Sequence, residues 1–197
     1  MSNFVDKHFK LREDLSITFL GRKLFRIEAT KDLKKHNVKA GDIGGYIEKE
    51  SNLSGNAWVY DNAKVFGDAK VYGNAKVCGD AKVCGNAWVY DNAKVFGDAK
   101  VCGNAWVYDN AKVFGDAWVY GNAKVYDNAK VCGDAKVCGN AKVYDNAKVC
   151  DNAEVYGDAK VYDNAVVCDN AKVYGDAEVY DLSLIHISEP TRRSWIS

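Results

Sequence analysis

A six-residue repeat governs most of this chain and restricts it to a repetitive β architecture. Residues 55–180 consist of 21 consecutive hexads of the form [GD]-[ND]-A-x-V-[YFC], without an insertion. In an extended segment, alternate side chains lie on opposite faces. Lysine occupies 14 of the 21 x positions, so we expect the alanine and valine of each hexad to face inward. Gly, Asp and Asn at the two corner positions suit the turns that would link successive strands.

Longer-range correlations indicate how many hexads make one coil. The corner pairs match at a separation of one hexad in 2 of 20 comparisons, at two hexads in 3 of 19, and at three hexads in 13 of 18. The sequence therefore predicts an all-β fold, a single-stranded parallel β-helix with three hexads in each coil. Two looser hexads place Ile47 and Leu53 in the valine position, so the predicted helix covers residues 43–181 in about seven to eight coils.

One side of the predicted coil carries a tyrosine in every turn and is the candidate contact surface. Trp88 and Trp106 occupy the outward positions before Tyr90 and Tyr108, so these four side chains are predicted to form one patch. Such a patch is typical of a surface that contacts a second rod, a sugar or a peptide. Stacking within the column would also stabilise the coil without any partner. The wider ladder consists of Tyr72, Tyr90, Tyr108, Tyr126, Tyr144, Tyr162 and Tyr180.

The first coils resemble a known family. The sequence GDIGGYIE at residues 41–48, the NLS at residues 52–54 and GNAWVYDNAKV from Gly55 resemble the YdcK-like hexapeptide-repeat proteins of bacteria and prophages. This group is similar to the trimeric, LpxA-like left-handed parallel β-helix proteins. The resemblance implies left-handed winding and self-association through an outer face, for instance as a trimer. Spacing alone does not imply that hand, since parallel crossovers ordinarily favour the right hand.

Residues 1–42 and 182–197 lie outside the repeat. Residues 16–19 and 23–29 are predicted to form a β-hairpin with Phe25, Ile27 and Ala29 on one face. We expect this small β cap to cover the open first coil. Residues 182–197 begin LSLIHISEPTR, which resembles a translated sequencing adapter. We interpret this segment as a non-native tail, with a short natural capping tail as the alternative.

The resemblance also suggests a second function, because many hexapeptide-repeat proteins are acyltransferases with a histidine near a coil edge and an acyl-CoA groove between subunits. The histidines here are His8 and His36 before the repeat and His186 in the tail. We expect His36, in LKKHNVK, to be solvated rather than a general base. The sequence therefore predicts no catalytic residue and no cofactor. Acyl-CoA is expected only if the active site lies at a subunit interface or in a missing C-terminus.

Cysteines and aspartates are the remaining candidates for chemistry. Cys84 and Cys102 share one column, and Cys132, Cys150 and Cys168 share another. Neighbours about 4.8 Å apart are wider than the roughly 3.8 Å between the Cβ atoms of a relaxed disulfide. A linear column does not supply tetrahedral zinc ligands either, so we expect reduced thiols and no metal. A corner column of carboxylates suits calcium, but a turn role is favoured for its members, Asp91, Asp109, Asp127, Asp145 and Asp163.

Charge and hydropathy limit the partners. Lys plus Arg and Asp plus Glu each total 27, so no nucleic-acid partner is predicted. No apolar run is long enough to span a bilayer, and the first residues do not resemble a secretory signal. We therefore expect a cytoplasmic protein with no membrane association. The predicted function is that of a non-catalytic structural or binding β-solenoid that presents an aromatic ladder on one face.

Overall fold

The computed structural model describes residues 7–181 and 184–186. Its repeat region is a parallel β-solenoid of about seven coils with three sides, and each hexad contributes one short strand to a side. Each strand pairs with the strand three hexads later, as in the pairing of Val95 with Val113. The predicted all-β fold and the three-hexad coil are therefore confirmed.

The three sides are three hydrogen-bonded sheets, here called sheets 1, 2 and 3. In the repeat, sheet 1 contains Lys64–Val65, Lys82–Val83, Lys100–Val101, Trp118–Val119, Lys136–Val137, Glu154–Val155 and Lys172–Val173. Sheet 2 contains Trp58–Val59, Lys76–Val77, Lys94–Val95, Lys112–Val113, Lys130–Val131, Lys148–Val149, Val166–Cys168 and Leu184–His186. Sheet 3 contains Lys70–Val71, Trp88–Val89, Trp106–Val107, Lys124–Val125, Lys142–Val143, Lys160–Val161 and Glu178–Val179.

Backbone hydrogen bonds between coils repeat with the hexad. The amide of Lys94 donates to the carbonyl of Ala111 at 2.9 Å. The amide of Phe96 donates to the carbonyl of Val113 at 3.0 Å. Corner amides donate in the same direction, as Asn92 does to the carbonyl of Asp109 at 2.8 Å. Each coil is therefore bonded to the next along strands and corners alike.

The core is a thin column of small side chains. The repeat valines from Val59 to Val167 and the repeat alanines from Ala57 to Ala171 have 0% exposure. A single hexad cannot bury its two apolar side chains, so burial requires the other two sides of the coil and the coils above and below. The predicted inward orientation of alanine and valine is confirmed.

The corners depend on left-handed backbone. The first residue of each of the 21 corners, Gly or Asp, has a φ between 51° and 74°. At Gly103 an added Cβ would lie 3.1 Å from the amide nitrogen of Gly121 in the next coil. In the predicted column of corner aspartates the carboxylate can bond the next coil: Asp127 accepts from the Asp145 amide at 3.5 Å, and Asp145 accepts from the Asp163 amide at 3.4 Å. The Asp column therefore has a structural role at the corners.

The residues before the repeat join the end of sheet 1. Strand β1 (Phe9–Phe19) pairs antiparallel with β2 (Arg22–Ala29), and β2 pairs antiparallel with β3 (Ile43–Ile47). Strand β3 then pairs in parallel with Lys64–Val65. Two short 3-10 helices, Lys34–His36 and Glu50–Asn52, flank β3 in the sequence. The edge of the first coil on this side is thereby covered.

Packing of this cap differs in detail from the predicted hairpin. Ile27 and Ala29 are buried in the continuous core, whereas Phe25 is only half-buried and Leu24 is fully buried. Strict alternation fails because the pairing of β2 with β3 shifts register between Arg26 and Glu28. Trp58, at an outward position of the repeat, is 1% exposed. It is covered because Gly44 and His8 of the cap lie against its ring.

The predicted tail lies outside the described residues, apart from the backbone of Leu184–His186. This strand pairs in parallel with Val166–Cys168, again with an offset of three hexads. Among the described residues, no helix is long and apolar enough to cross a membrane.

Candidate functional site

The tyrosines of sheet 3 form a continuous stack along the solenoid. Ring centroids of consecutive tyrosines lie 4.8 to 5.3 Å apart, from Tyr72 to Tyr180, with planes within 20° of parallel. This spacing follows from the in-register pairing of the strands, since neighbouring strands lie about 4.8 Å apart. The repeat therefore places the same ring at the same angle in each coil.

Two tryptophans extend the stack sideways. The indoles of Trp88 and Trp106 stack with centroids 5.4 Å apart and planes 7° apart. Trp106 also meets the ring of Tyr90 edge-on, with centroids 6.3 Å apart, while Tyr90 stacks on Tyr108 at 4.9 Å. The structure therefore brings the four predicted patch residues into one contiguous cluster, which we call the aromatic patch.

Lysines lie one coil before Trp88 and one coil after Trp106, in the same outward column of sheet 3. The Lys70 ammonium lies 5.1 Å from the ring centroid of Trp88, and the Lys124 ammonium lies 4.8 Å from that of Trp106. Such cation–π contacts are attractive because the ring face is electron-rich. The four aromatic side chains are half-buried. Part of the surface of each side chain therefore contacts other residues of the protein, and the rest is exposed.

The environment of the ladder also affects the tyrosine hydroxyls. Burial raises the pKa of Tyr90, and the neighbouring hydroxyls of Tyr108 and Tyr72 raise it further. At Tyr126, burial and then the neighbours Tyr108 and Tyr144 raise the pKa to about 12. The hydroxyls of Tyr90 and Tyr126 are therefore neutral and can donate hydrogen bonds.

A second outward tryptophan lies on sheet 1. Trp118 is 42% exposed and meets the ring of Tyr120 edge-on at 6.2 Å. The Lys100 ammonium lies 4.1 Å from its centroid. Its strand neighbours are Lys100 and Lys136, so it has no indole above or below. Trp118 lies outside the predicted patch, although its hexad, GDAWVY, carries the same signal of an outward tryptophan before a tyrosine.

Side-chain amides form ladders at two corners. In the column that begins at Asn56, Asn74 donates to Asn92 at 3.4 Å and Asn92 donates to Asn110 at 3.4 Å. Another column has shorter bonds, 3.1 Å between Asn86 and Asn104. It continues through Asn122 and Asn140 to Asp158. This second ladder is shorter than the first because Asp takes the position of Asn in its first coil and in its last two, at Asp68, Asp158 and Asp176.

The histidines of the cap are not solvated, which corrects the prediction for His36. His36 is 4% exposed, and burial, followed by the nearby Lys76 charge, lowers its pKa to about 4. Its carbonyl accepts a hydrogen bond from the Tyr60 hydroxyl at 2.8 Å. His8 is also buried, and its Nε2 lies 2.8 Å from the Ala57 carbonyl. Both rings pack where the cap meets the first coil, a non-periodic contact that the repeat does not reveal.

One cysteine pair also corrects the sequence analysis. Cys84 and Cys102 form a disulfide on sheet 1, with their Cα atoms 4.7 Å apart. This separation lies within the range of about 4.4 to 6.8 Å that disulfides accept. The prediction was wrong because it held both Cβ atoms at the strand spacing and ignored side-chain adjustment. The cysteines that are not in a disulfide are Cys78, Cys132, Cys138, Cys150 and Cys168.

No protein-family model matches this chain, and no curated protein matches it. The fold and the geometry of sheet 3 nevertheless define a class: a parallel β-solenoid with a stacked aromatic ladder on one outer side.

Proposed function

We propose that this protein is a non-catalytic structural or binding β-solenoid and that sheet 3 is its contact face. The observation that carries this proposal is the unbroken aromatic stack of sheet 3, widened by the indoles of Trp88 and Trp106. Stacked pairs contribute about 0.5 to 1.5 kcal/mol each beyond burial. The stack therefore joins successive coils and, at the same time, presents the outer edges of its rings to a partner.

The form of the repeat supports a surface rather than a pocket. Ligand pockets are usually concave and are walled by loops or neighbouring elements. In residues 55–180 the strands are joined only by two-residue corners, which are too short to wall a cavity. The broad sides are therefore the surfaces that the repeat offers for contact.

The partner that we propose for sheet 3 is a second copy of this chain, lying parallel to the first. Across this sheet, a lysine column with Lys124 and Lys142 lies on one flank of the tyrosines, and a corner column with Asp127 and Asp145 lies on the other. A two-fold axis parallel to the rod brings the lysine flank of each copy opposite the aspartate flank of the other. Complementary charge of this kind sets orientation and register.

The YdcK-like motif at residues 41–48 supports assignment to the bacterial or prophage hexapeptide-repeat group, with left-handed winding. A trimer about an axis parallel to the rod also keeps the chains parallel. A balanced charge, with Lys plus Arg and Asp plus Glu both 27, supports a protein partner over nucleic acid. Cytoplasmic residence belongs to the same proposal.

Light scattering and sedimentation of the double variant Trp88→Ala, Trp106→Ala test this function. We expect a smaller assembly than that of the unaltered chain, together with a lower melting temperature. Trp118→Ala is the matched control, because it removes an indole from the same hexad position on sheet 1. A double variant that matches the Trp118→Ala protein in both measurements would overturn the proposal for sheet 3. Saturable acetyl-CoA binding with acyl transfer would overturn the non-catalytic assignment.

A further inference from the structure

Sheet 2 carries a column of three thiols near the far end of the described coils. Cys132, Cys150 and Cys168 are 7%, 6% and 6% exposed and pack together, with Phe114 and Val166 beside them. The pairing of Val149 with Val167 aligns Cys150 with Cys168 in the next coil. These thiols therefore face one another across the coil spacing, away from the aromatic patch.

A corner carboxylate joins two of these thiols. Asp151 follows Cys150 directly and has a φ of 58°, in the left-handed region of the corner. The Sγ atoms of Cys150 and Cys168 and a carboxylate oxygen of Asp151 all lie within 4.8 Å of one another. Among the described residues, this is the one group of three or more potential metal-ligand side chains that meets this distance. The sequence-based expectation of no metal considered thiols in a straight column and left out the adjoining corner.

We propose that Cys150, Asp151 and Cys168 bind one thiophilic divalent cation of the zinc type and thereby cross-link two successive coils. Zinc bonds are about 2.3 Å to sulfur and about 2.0 to 2.2 Å to oxygen. Tetrahedral coordination then needs ligand atoms roughly 3.5 to 3.8 Å apart. The proposal requires the two cysteine side chains and the exposed Asp151 side chain to rotate from separations of up to 4.8 Å to that distance. Water completes the coordination.

The donor set determines the class of cation. Two sulfur ligands favour zinc or cadmium over the oxygen-seeking calcium and magnesium. Cysteine binds such a cation as the thiolate, so the thiol protons pass to solvent as the metal–sulfur bonds form. Asp151 lies on the exposed side of the group, so the cation can enter past its carboxylate.

Equilibrium dialysis of the whole chain against zinc, under a non-chelating reductant, provides the first test. We expect one zinc ion per chain, and we expect cadmium to give the ultraviolet absorbance of a cadmium–thiolate bond. Cys150→Ser and Asp151→Asn are each expected to weaken binding at least 10-fold. Cys138→Ser removes a thiol on sheet 1 and is the matched control, with binding unchanged.

Two further measurements separate a site from incidental thiol binding. The variant Cys84→Ser, Cys102→Ser removes the thiols that the reductant releases, and it is expected to bind zinc as the unaltered chain does. Circular dichroism checks that Cys150→Ser retains the β-solenoid. The proposal is overturned if the unaltered chain retains no zinc, or if folded Cys150→Ser and Cys138→Ser proteins bind it equally well.

Discussion

The indole of Trp106 lies parallel to that of Trp88, although three hexads of sequence separate them. Both residues occupy the same position in their hexads and pair directly in sheet 3. Their stacking is therefore a direct product of the coil register. Any loss of register between these two coils would separate the rings.

Replacing Trp106 with alanine removes the stack on Trp88, the edge contact with Tyr90 and the cation–π contact with Lys124. We expect a loss of about 2 to 3 kcal/mol of stability, less than for a fully buried tryptophan. Denaturant and thermal unfolding measure it. Trp118→Ala removes a more exposed indole without a stacked partner and is expected to cost about 1 kcal/mol. Equal losses in the two variants would contradict the assigned role of stacking.

Replacing Val113 with alanine tests the core. This side chain has 0% exposure, and its loss removes two buried carbon groups and leaves a small cavity. We expect about 2 kcal/mol of destabilisation, measured by urea unfolding. The neighbouring outward change Lys112→Ala is the control and should remain within about 0.5 kcal/mol of the unaltered protein. A Val113→Ala variant with the same free energy of unfolding as the unaltered protein would contradict a tightly packed core.

Reduction of the Cys84–Cys102 disulfide should lower stability. The bridge joins residues at a sequence separation of 18, and closing a loop of about this size is worth about 3 kcal/mol in the chain-entropy description. We expect a reductant to lower the melting temperature of the unaltered chain. It should not change that of Cys84→Ser, while Cys78→Ser should respond as the unaltered chain does. A melting temperature insensitive to reductant in all three proteins would show that the bridge adds no stability.

Acidification should loosen the cap. The pKa of His36 is about 4 in the folded protein, against 6.5 for an ordinary histidine. Between these values the unfolded chain binds more protons than the folded chain, so stability falls as the pH drops from about 6.5 towards 4. His8, whose pKa is also lowered by burial, acts in the same direction. For each pH unit in this range, one such histidine changes the free energy of unfolding by at most about 1.4 kcal/mol.

Thermal unfolding across this pH range checks the effect. His36→Phe keeps a ring of similar size at the cap and should show a flatter pH dependence, although His8 continues to titrate. Lys35→Ala, on the same short helix as His36, is the control and should retain the slope. If the His36→Phe protein loses stability with acid as steeply as the unaltered chain, another group accounts for the effect.

The repeat made most of the architecture predictable. Inward alanine and valine follow from two-residue alternation, and the three-hexad coil follows from correlation between corner pairs. The resulting register places Tyr90 on Tyr108 without further information. The winding hand differs in this respect, because both hands give the same spacing and the same inward pattern. It was therefore inferred only from the family resemblance.

The features that sequence reasoning missed depend on side-chain contacts outside the strict repeat. His36 and Trp58 are buried because the cap lies over the first coil, and no period in the sequence encodes that contact. The Cys84–Cys102 bridge depends on how far two side chains turn towards each other. The cluster of Cys150, Asp151 and Cys168 arises because a corner carboxylate lies beside the outward column. The periodicity of the strands predicts neither how far a cysteine side chain turns nor which corner side chain lies beside an outward column.

Because each coil contains three hexads, the number of hexads determines both the length of the rod and the side on which each later hexad lies. Removing residues 109–126, three complete hexads, would shorten the rod by one coil, and Tyr108 would then be followed in its column by Tyr144. Removing only residues 115–120, a single hexad, would leave the inward alanine–valine pattern intact but move every later hexad onto the side that precedes its own along the chain. The tyrosine ladder would then break and continue on sheet 1. Duplications and deletions of single hexads would therefore keep the inward alanine–valine pattern while they redistribute the outer surface.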